Sequence, residues 1–430
     1  MQKKIKIFTL SDHPLSPSGV GTQTRYFIET LLNTGKFQFV CFGGAVKHND
    51  YRPQKIEPWG EDWRIFPVDG YGNQEMIRSL MRTERPDIVW FMTDPRFWGW
   101  LWEIDDELRK NAPLVYHHVW DNFPAPQFNK PFYESNDKIV TISKVTDEIV
   151  RTVAPEVDVT YLPHSVQSDV FTPEVTPEVA EEEKNFKLQM IKETSSEELY
   201  NEDKMVFFWN NRNARRKQSG TLIYWFKDFL DEIGHDKACL VMHTDPKDPN
   251  GQDLHHLIVT LGLNDGQVIL STTKVESPDL ARIYRAADCT LNISDAEGFG
   301  LATLESLSCG TPIIVTMTGG LQQQVTDGEN WFGIGIEPAS KSIIGSQAVP
   351  YIYEDRISQQ DFLDAMNKMY SMTKEEREAM GAAGRKHVQE NYNFDTLMQQ
   401  WVDLMLEVHE THGSWQTRKT YKSWQLLEVA

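Results

Sequence analysis

Short apolar runs separated by stretches of helical periodicity set the plan of the first part of the chain. Residues 4–10, 37–42, 65–68, 87–91, 114–118 and 138–142 are β-rich and of strand length. Strands that alternate with helices predict a parallel sheet with crossover helices. The pattern stops after residues 157–163. Residues 172–204 are rich in Pro and Glu, with a Glu181-Glu182-Glu183 run, and read as a linker carrying a solvated helix. Alternation resumes at 205–209, 238–243, 268–270, 289–293 and 312–315, which predicts a second doubly wound α/β domain. From Ser358 on the chain is mainly helical, clearest at 374–390 and 393–407, while the last twenty or so residues, with Trp415 and Trp424, show no assignable period. The expected division is 1–170, a first Rossmann-like domain; 171–204, an acidic linker and helix; 205–390, a second Rossmann-like domain; and 391–430, a helix returning to the first domain plus a tail.

Composition narrows the class. A chain of 430 residues is long for one core, and 40% hydrophobic with 25% charged residues is ordinary for globular domains. No apolar run reaches the roughly 20 residues of a membrane helix, since even 88–102 is broken by Asp94, Pro95 and Arg96. The start, Met1-Gln2-Lys3-Lys4, runs into a strand too short and too alternating for a secretory segment, so a cytoplasmic location is expected. Cys41, Cys239, Cys289 and Cys309 are unpaired in spacing and sit in apolar contexts, as buried thiols of a reducing compartment do. No metal site is expected. The net charge of −20 opposes unaided attraction to nucleic acid or anionic lipid, although a local basic patch can run against the global sign.

Candidate chemistry gathers in a few segments. Asp295-Ala296-Glu297-Gly298-Phe299-Gly300-Leu301 follows a predicted strand and opens a helix that contains Glu305. Glycines let backbone amides approach a ligand, and a helix start offers unpaired N–H groups and a favourable dipole for phosphate. Glu297 and Glu305 could then hold hydroxyls on either side of a diphosphate, one on a sugar and one on a ribose. Asn211-Arg212-Asn213-Ala214-Arg215-Arg216-Lys217, after the first strand of the second domain, supplies cations. In the first domain, His117 and His118 end a predicted strand, and alternation sends only one of them to a given side. Gly19-Val20-Gly21-Thr22 follows the first strand as a tight turn. The insert 94–102 carries Trp98, Trp100 and Trp102, which could stack on a sugar or base, or simply fill a core.

Together these segments resemble the family-4 retaining glycosyltransferases of the GT-B fold. The likeness rests on Glu297 to Glu305 with that family's E-x7-E spacing, Ser308-Cys309-Gly310-Thr311-Pro312, Gly319-Gly320-Leu321 and Asp327-Gly328-Glu329-Asn330. It extends to the glycine loop at Gly19 and Gly21, to Ser143-Lys144, to Leu162-Pro163-His164-Ser165-Val166 with Phe171, and to the five-residue step from Arg212 to Lys217. The resemblance implies two facing Rossmann-like domains with a cleft between them. It implies a nucleotide-sugar donor (UDP-, GDP- or ADP-linked) on the C-terminal domain, an acceptor on the N-terminal one, and retention of configuration without a metal. Catalytic roles would fall to His118, Arg212, Lys217 and Glu297, with His117 the near alternative to His118. Donor contacts would come from Gly19, Gly21, Gly298, Phe299, Gly300, Leu301 and Glu305, and acceptor contacts from His117, Trp98 and Trp100. The chain contains no Asp-x-Asp, the motif by which metal-dependent transferases hold a diphosphate.

Two departures bear on donor and acceptor identity: Gln323 stands where the family often has Glu, and His164-Ser165 where it usually has Asn-Gly. The acceptor could be a glycan, a lipid-linked sugar, a small polyol or a hydroxylated base in DNA. A noncatalytic nucleotide- or glycan-binding subunit and a nucleotide-sugar epimerase of the same fold are the competing readings. Oligomeric state is open.

Overall fold

The computed structural model describes residues 3–423; Met1, Gln2 and the stretch from Trp424 onward lie outside the described residues. It divides into two compact units. The first comprises Met1–His164, Gly345–Ile352 and Asp395–Ala430, and the second Ser165–Ile344 and Tyr353–Phe394.

In the first unit the strands are β1 (Ile5–Asp12), β2 (Phe37–Gly44), β3 (Gln54–Ile56), β4 (Gly60–Pro67), β5 (Ile88–Met92), β6 (Leu114–His118), β7 (Lys138–Thr141) and β8 (Val159–Tyr161). They form one sheet in the order β3-β4-β2-β1-β5-β6-β7-β8, parallel except for the short antiparallel β3 at the edge. Strand order reverses between β1 and β5, so the carboxyl ends of those two strands flank the natural ligand crevice of the unit. The central strands are apolar on both faces, as strands covered by helices on both sides must be. On one side Phe27 stacks on Trp90 at 4.6 Å, and Trp401 of the helix Phe394–His412 meets Phe27 edge-on at 5.0 Å. That contact seats the C-terminal helix in the first unit. The stretch beyond it, unassignable by pattern, is held by specific bonds: Trp415 Nε1 donates to the Pro86 carbonyl at 2.9 Å and Arg418 to Asp137 at 2.7 Å.

The second unit holds β9 (Met205–Asn210), β10 (Ala238–His243), β11 (Val268–Ser271), β12 (Cys289–Asn292), β13 (Ile313–Thr316) and β14 (Gly333–Ile336), all parallel, in the order β11-β10-β9-β12-β13-β14. Here the switch lies between β9 and β12. A two-stranded ribbon, β15 (Ser340–Ile344) with β16 (Ile352–Arg356), follows. The acidic segment does contain a helix, Pro177–Thr194, N-capped by Thr176, but it is not a free linker. Glu183 pairs with Arg285 and Lys187 with Asp288 at 2.7 Å, so it belongs to the second unit, whose chain begins at Ser165 and not at 171 or 205. The helix Lys374–Asn391 starts with a reciprocal capping box between Thr373 and Glu376. All four cysteines are buried and unbridged.

Candidate functional site

At the switch point of the second unit two loops meet, one after β9 and one after β12. The β9 loop passes through the turn Arg215–Lys217 and reverses on Gln218, which takes a left-handed φ of 56°. Its course is pinned by Asn213, whose amide donates to the Gln252 carbonyl at 2.7 Å and accepts from Ser219 Oγ at 2.6 Å. The β12 loop is pinned in turn. Gln324 donates to the carbonyls of Phe299 (2.7 Å) and Gly300 (3.1 Å) while accepting from Thr303, and the Gly320 amide donates to the Glu297 carbonyl at 3.0 Å. The two loops bond directly, since Asp295 N–H donates to the Arg216 carbonyl at 2.8 Å and Gln218 to the Asp295 carboxylate at 2.6 Å.

This scaffold brings Lys217 onto Glu297. The Lys217 Nζ hydrogen-bonds Glu297 Oε2, and the side chains are 8% and 12% exposed. Arg216 lies 3.8 Å from the same carboxylate and donates to the Ala296 carbonyl at 2.6 Å. Arg212 does not join them. Its side chain is 65% exposed and pairs with Asp248 at 2.6 Å, which holds that carboxyl down to about 2. Of the arginine and lysine expected together at this loop, the structure places Lys217 on Glu297, with Arg216 and not Arg212 beside it. The reason is the Asn213 anchor: it turns Arg212 away before the following turn swings Arg216 and Lys217 back. Arg215 pairs with the buried Glu354 of β16.

The helix Leu301–Ser308 opens at Gly300, whose φ of +88° an L side chain adopts only at a cost, and where a Cβ would lie 2.5 Å from Leu321. Gly300→Ala is expected to lower stability by about 1–2 kcal/mol from the left-handed backbone alone, measured as a shift in the urea midpoint at unchanged m; an unshifted midpoint would count against it. Gly298 and Leu301 flank this opening and Phe299 is buried beneath it. Glu305 accepts from Tyr284 Oη at 2.7 Å, and that hydroxyl accepts from Asn210 at 2.9 Å. Burial lifts the Glu305 carboxyl to about 7 and Asp295 to about 6.

A further signal escaped the motif reading. Asn211 Nδ2, Asn292 Nδ2, Thr244 Oγ1 and Thr316 Oγ1 are buried without a hydrogen-bond partner. All four stand at the carboxyl ends of β9, β12, β10 and β13. Buried donors are rarely left unpaired, and a row of them along one edge of a sheet marks where polar groups of a ligand or water belong. Among the described residues no cluster of three or more metal-ligating side chains occurs.

In the first unit, Asp12 at the end of β1 accepts from Ser18 (2.6 Å) and Tyr71 (2.8 Å). Gly19 opens the helix Gly19–Asn33, and the Gly21 amide is already taken by its N-cap, Ser18, at 3.0 Å. Gly21 is glycine for space: a Cβ would lie 2.8 Å from the His13 carbonyl oxygen. His117 and His118 point to opposite faces of β6 as alternation requires, yet both are buried. His118 Nε2 bonds Tyr133 Oη at 2.8 Å, whereas neither ring nitrogen of His117 has a partner among Trp90, His164 and Trp401. Trp98 is corrected to a core residue: it is fully buried, edge-on to Phe91 at 5.4 Å, with Trp100 partly buried against the same cluster.

Residues 190–387 match the family described as glycosyl transferases group 1. This chain carries a group 1 glycosyltransferase domain. Similar curated proteins include the D-inositol 3-phosphate glycosyltransferase of Paenarthrobacter aurescens (strain TC1), 41% identical over 76 residues, a match spanning 18% of each chain. Among solved structures, sucrose-phosphate synthase from Thermosynechococcus elongatus superposes with a TM-score of 0.73 at 18% identity, covering 95% of this chain and 100% of that one. The Anabaena protein HepE, in complex with UDP and glucose, gives 0.67 at 14% identity over 94% and 100%. The structural likeness establishes the GT-B type of fold around the group 1 domain. Among the described residues no helix is long and apolar enough to cross a membrane.

Proposed function

We propose that the chain moves a sugar from a nucleoside-diphosphate donor to an acceptor hydroxyl, with retention of anomeric configuration and without a divalent metal. The observation that carries this reading is the convergence of Lys217 and Glu297 beside the helix start at Leu301, at the strand-order switch of the second unit. A diphosphate at that point is faced by unpaired helix N–H groups and by Lys217, with Arg216 adjacent. Negative charge grows on the diphosphate as its bond to the sugar breaks, so fixed cations and amides stabilise the transition state more than the ground state. The new bond forms on the same face of the sugar, and the acceptor's proton passes to the departing phosphate oxygen. No carboxylate of the protein then serves as nucleophile; Glu297 holds sugar hydroxyls and Glu305 the ribose. The unpaired Asn211 and Asn292 amides support a ligand rich in acceptor oxygens.

HepE's complex with UDP makes UDP the first of three nucleotides to try. In EDTA, one of UDP, GDP or ADP is expected to raise the melting temperature, by the equivalent of about 2.7 kcal/mol at a hundredfold excess over Kd. No shift with any of the three would sink the donor reading. A shift that appears only with Mg2+ or Mn2+ would sink metal independence, and a covalent sugar adduct on Glu297 of the parent protein, found with donor present and acceptor absent, would sink the single-face mechanism.

A further inference from the structure

The helix Ser219–Ile233 carries Thr221, Tyr224, Trp225 and Asp228 along one side, as residues three and four apart on a helix do. With Gln252 and Gln359 they line a groove of about 430 Å3, a volume in the range of small-ligand sites. Tyr224 is 47% exposed, and Trp225 is half-buried, with Phe362 packed at 5.5 Å from its ring. Two polar groups are held in place. Gln252 Oε1 accepts from the Gly220 amide (3.3 Å) and lies 2.9 Å from Ser219 Oγ, whose one proton it shares with Asn213, which fixes the plane of its amide and leaves the NH2 as the donor on offer. Asp228 accepts from Gln359 at 2.6 Å through one carboxylate oxygen, leaving the other as an acceptor.

We infer that this groove is a saccharide-binding site, taking a neutral sugar ring of a glycan. The lining selects that class. None of its residues is Lys or Arg, so a phosphate or nucleotide finds no cation there and meets the Asp228 carboxylate instead. A purely apolar ligand would bury the carboxylate and amides without partners. A neutral sugar ring offers a C–H face to an aromatic ring and hydroxyls to planar amides and a carboxylate, the combination present here. The groove is built on the helix that follows Lys217, but shares none of its lining residues with the Lys217–Glu297 pair, so the inference stands apart from the donor reading.

The test is saturation-transfer NMR on the full chain with maltotriose, cellotriose, xylotriose, mannotriose and N,N′,N″-triacetylchitotriose, with glucose 6-phosphate as the charged control. At least one neutral trisaccharide is expected to bind, with affinity reduced about tenfold by Tyr224→Ala and similarly by Gln252→Ala. Tyr224→Phe is expected to keep most of the affinity because the ring remains. Lys217→Ala is expected to leave saccharide binding intact while removing the nucleotide-induced thermal shift, so failure of one proposal is distinguishable from failure of the other. Tyr224 is a surface residue, and an unchanged melting temperature verifies the fold of its variants. Absence of binding by the whole panel, binding unweakened by both alanine variants, or occupancy by glucose 6-phosphate alone would each overturn the inference.

Discussion

Lys217→Met is expected to lower kcat/KM for nucleotide-sugar turnover, read as release of free nucleoside diphosphate, by about 100- to 1,000-fold, the usual cost of removing one preorganised charge partner of a transition state. Lys217→Arg should retain part of the rate, because it keeps the charge but not the compact ammonium that fits against Glu297. Stability moves separately. Removing the lysine leaves a mostly buried carboxylate with Arg216 at 3.8 Å in place of a direct partner, so the single variant should also melt earlier. Lys217→Met combined with Glu297→Gln should recover the melting temperature without recovering turnover. Activity of Lys217→Met within tenfold of the parent would remove the proposed role.

The second large effect is acid lability of the first unit. Burial depresses His118 and His164 to about 3, and His117 well below its ordinary value, where burial is joined by the neighbouring histidines. A histidine depressed in the fold and ordinary when unfolded leaves the unfolded chain holding more protons between the two values, so stability is full above about pH 6.5 and declines as pH falls toward 3. At pH 5 this amounts to about 2 kcal/mol for each of His118 and His164. Thermal melts followed by circular dichroism from pH 7.5 to 5 should show the loss. His117→Leu, which replaces a ring whose nitrogens have no partner by an apolar group, should make the decline shallower; an unaltered slope would show that the ring does not contribute to it.

Much of the fold was legible because its signals are local. Alternating apolar runs located the central strands to within a few residues, as at residues 4–10 against β1 (Ile5–Asp12) and 238–243 against β10. Strands with little apolar content escaped: Gln54–Ile56 offers only one hydrophobic side chain, and β15 and β16 are polar and half exposed. The acidic helix was visible, but its attachment was not, because Arg285 and Asp288 lie about a hundred residues from the side chains they hold. The basic run shows the same limit. Spacing located it at a strand end, yet only the Asn213 anchor and the left-handed Gln218 decide which cation meets Glu297. The tryptophans of 98–102 were undecidable between ligand and core until Phe91 and Tyr71 were seen to enclose Trp98.

The mutual grip of Lys217 and Glu297 bears on how any nucleotide would be held and let go. An anion arriving there meets a lysine that already has its counter-ion, so part of each new attraction is offset by the one surrendered. The displaced glutamate must then find hydroxyl donors of its own. A spent nucleoside diphosphate satisfies the lysine alone, whereas a nucleotide still bearing its sugar satisfies both. On the proposed reading, the second unit discriminates between loaded carrier and by-product before any chemistry occurs, and is eased toward shedding the latter.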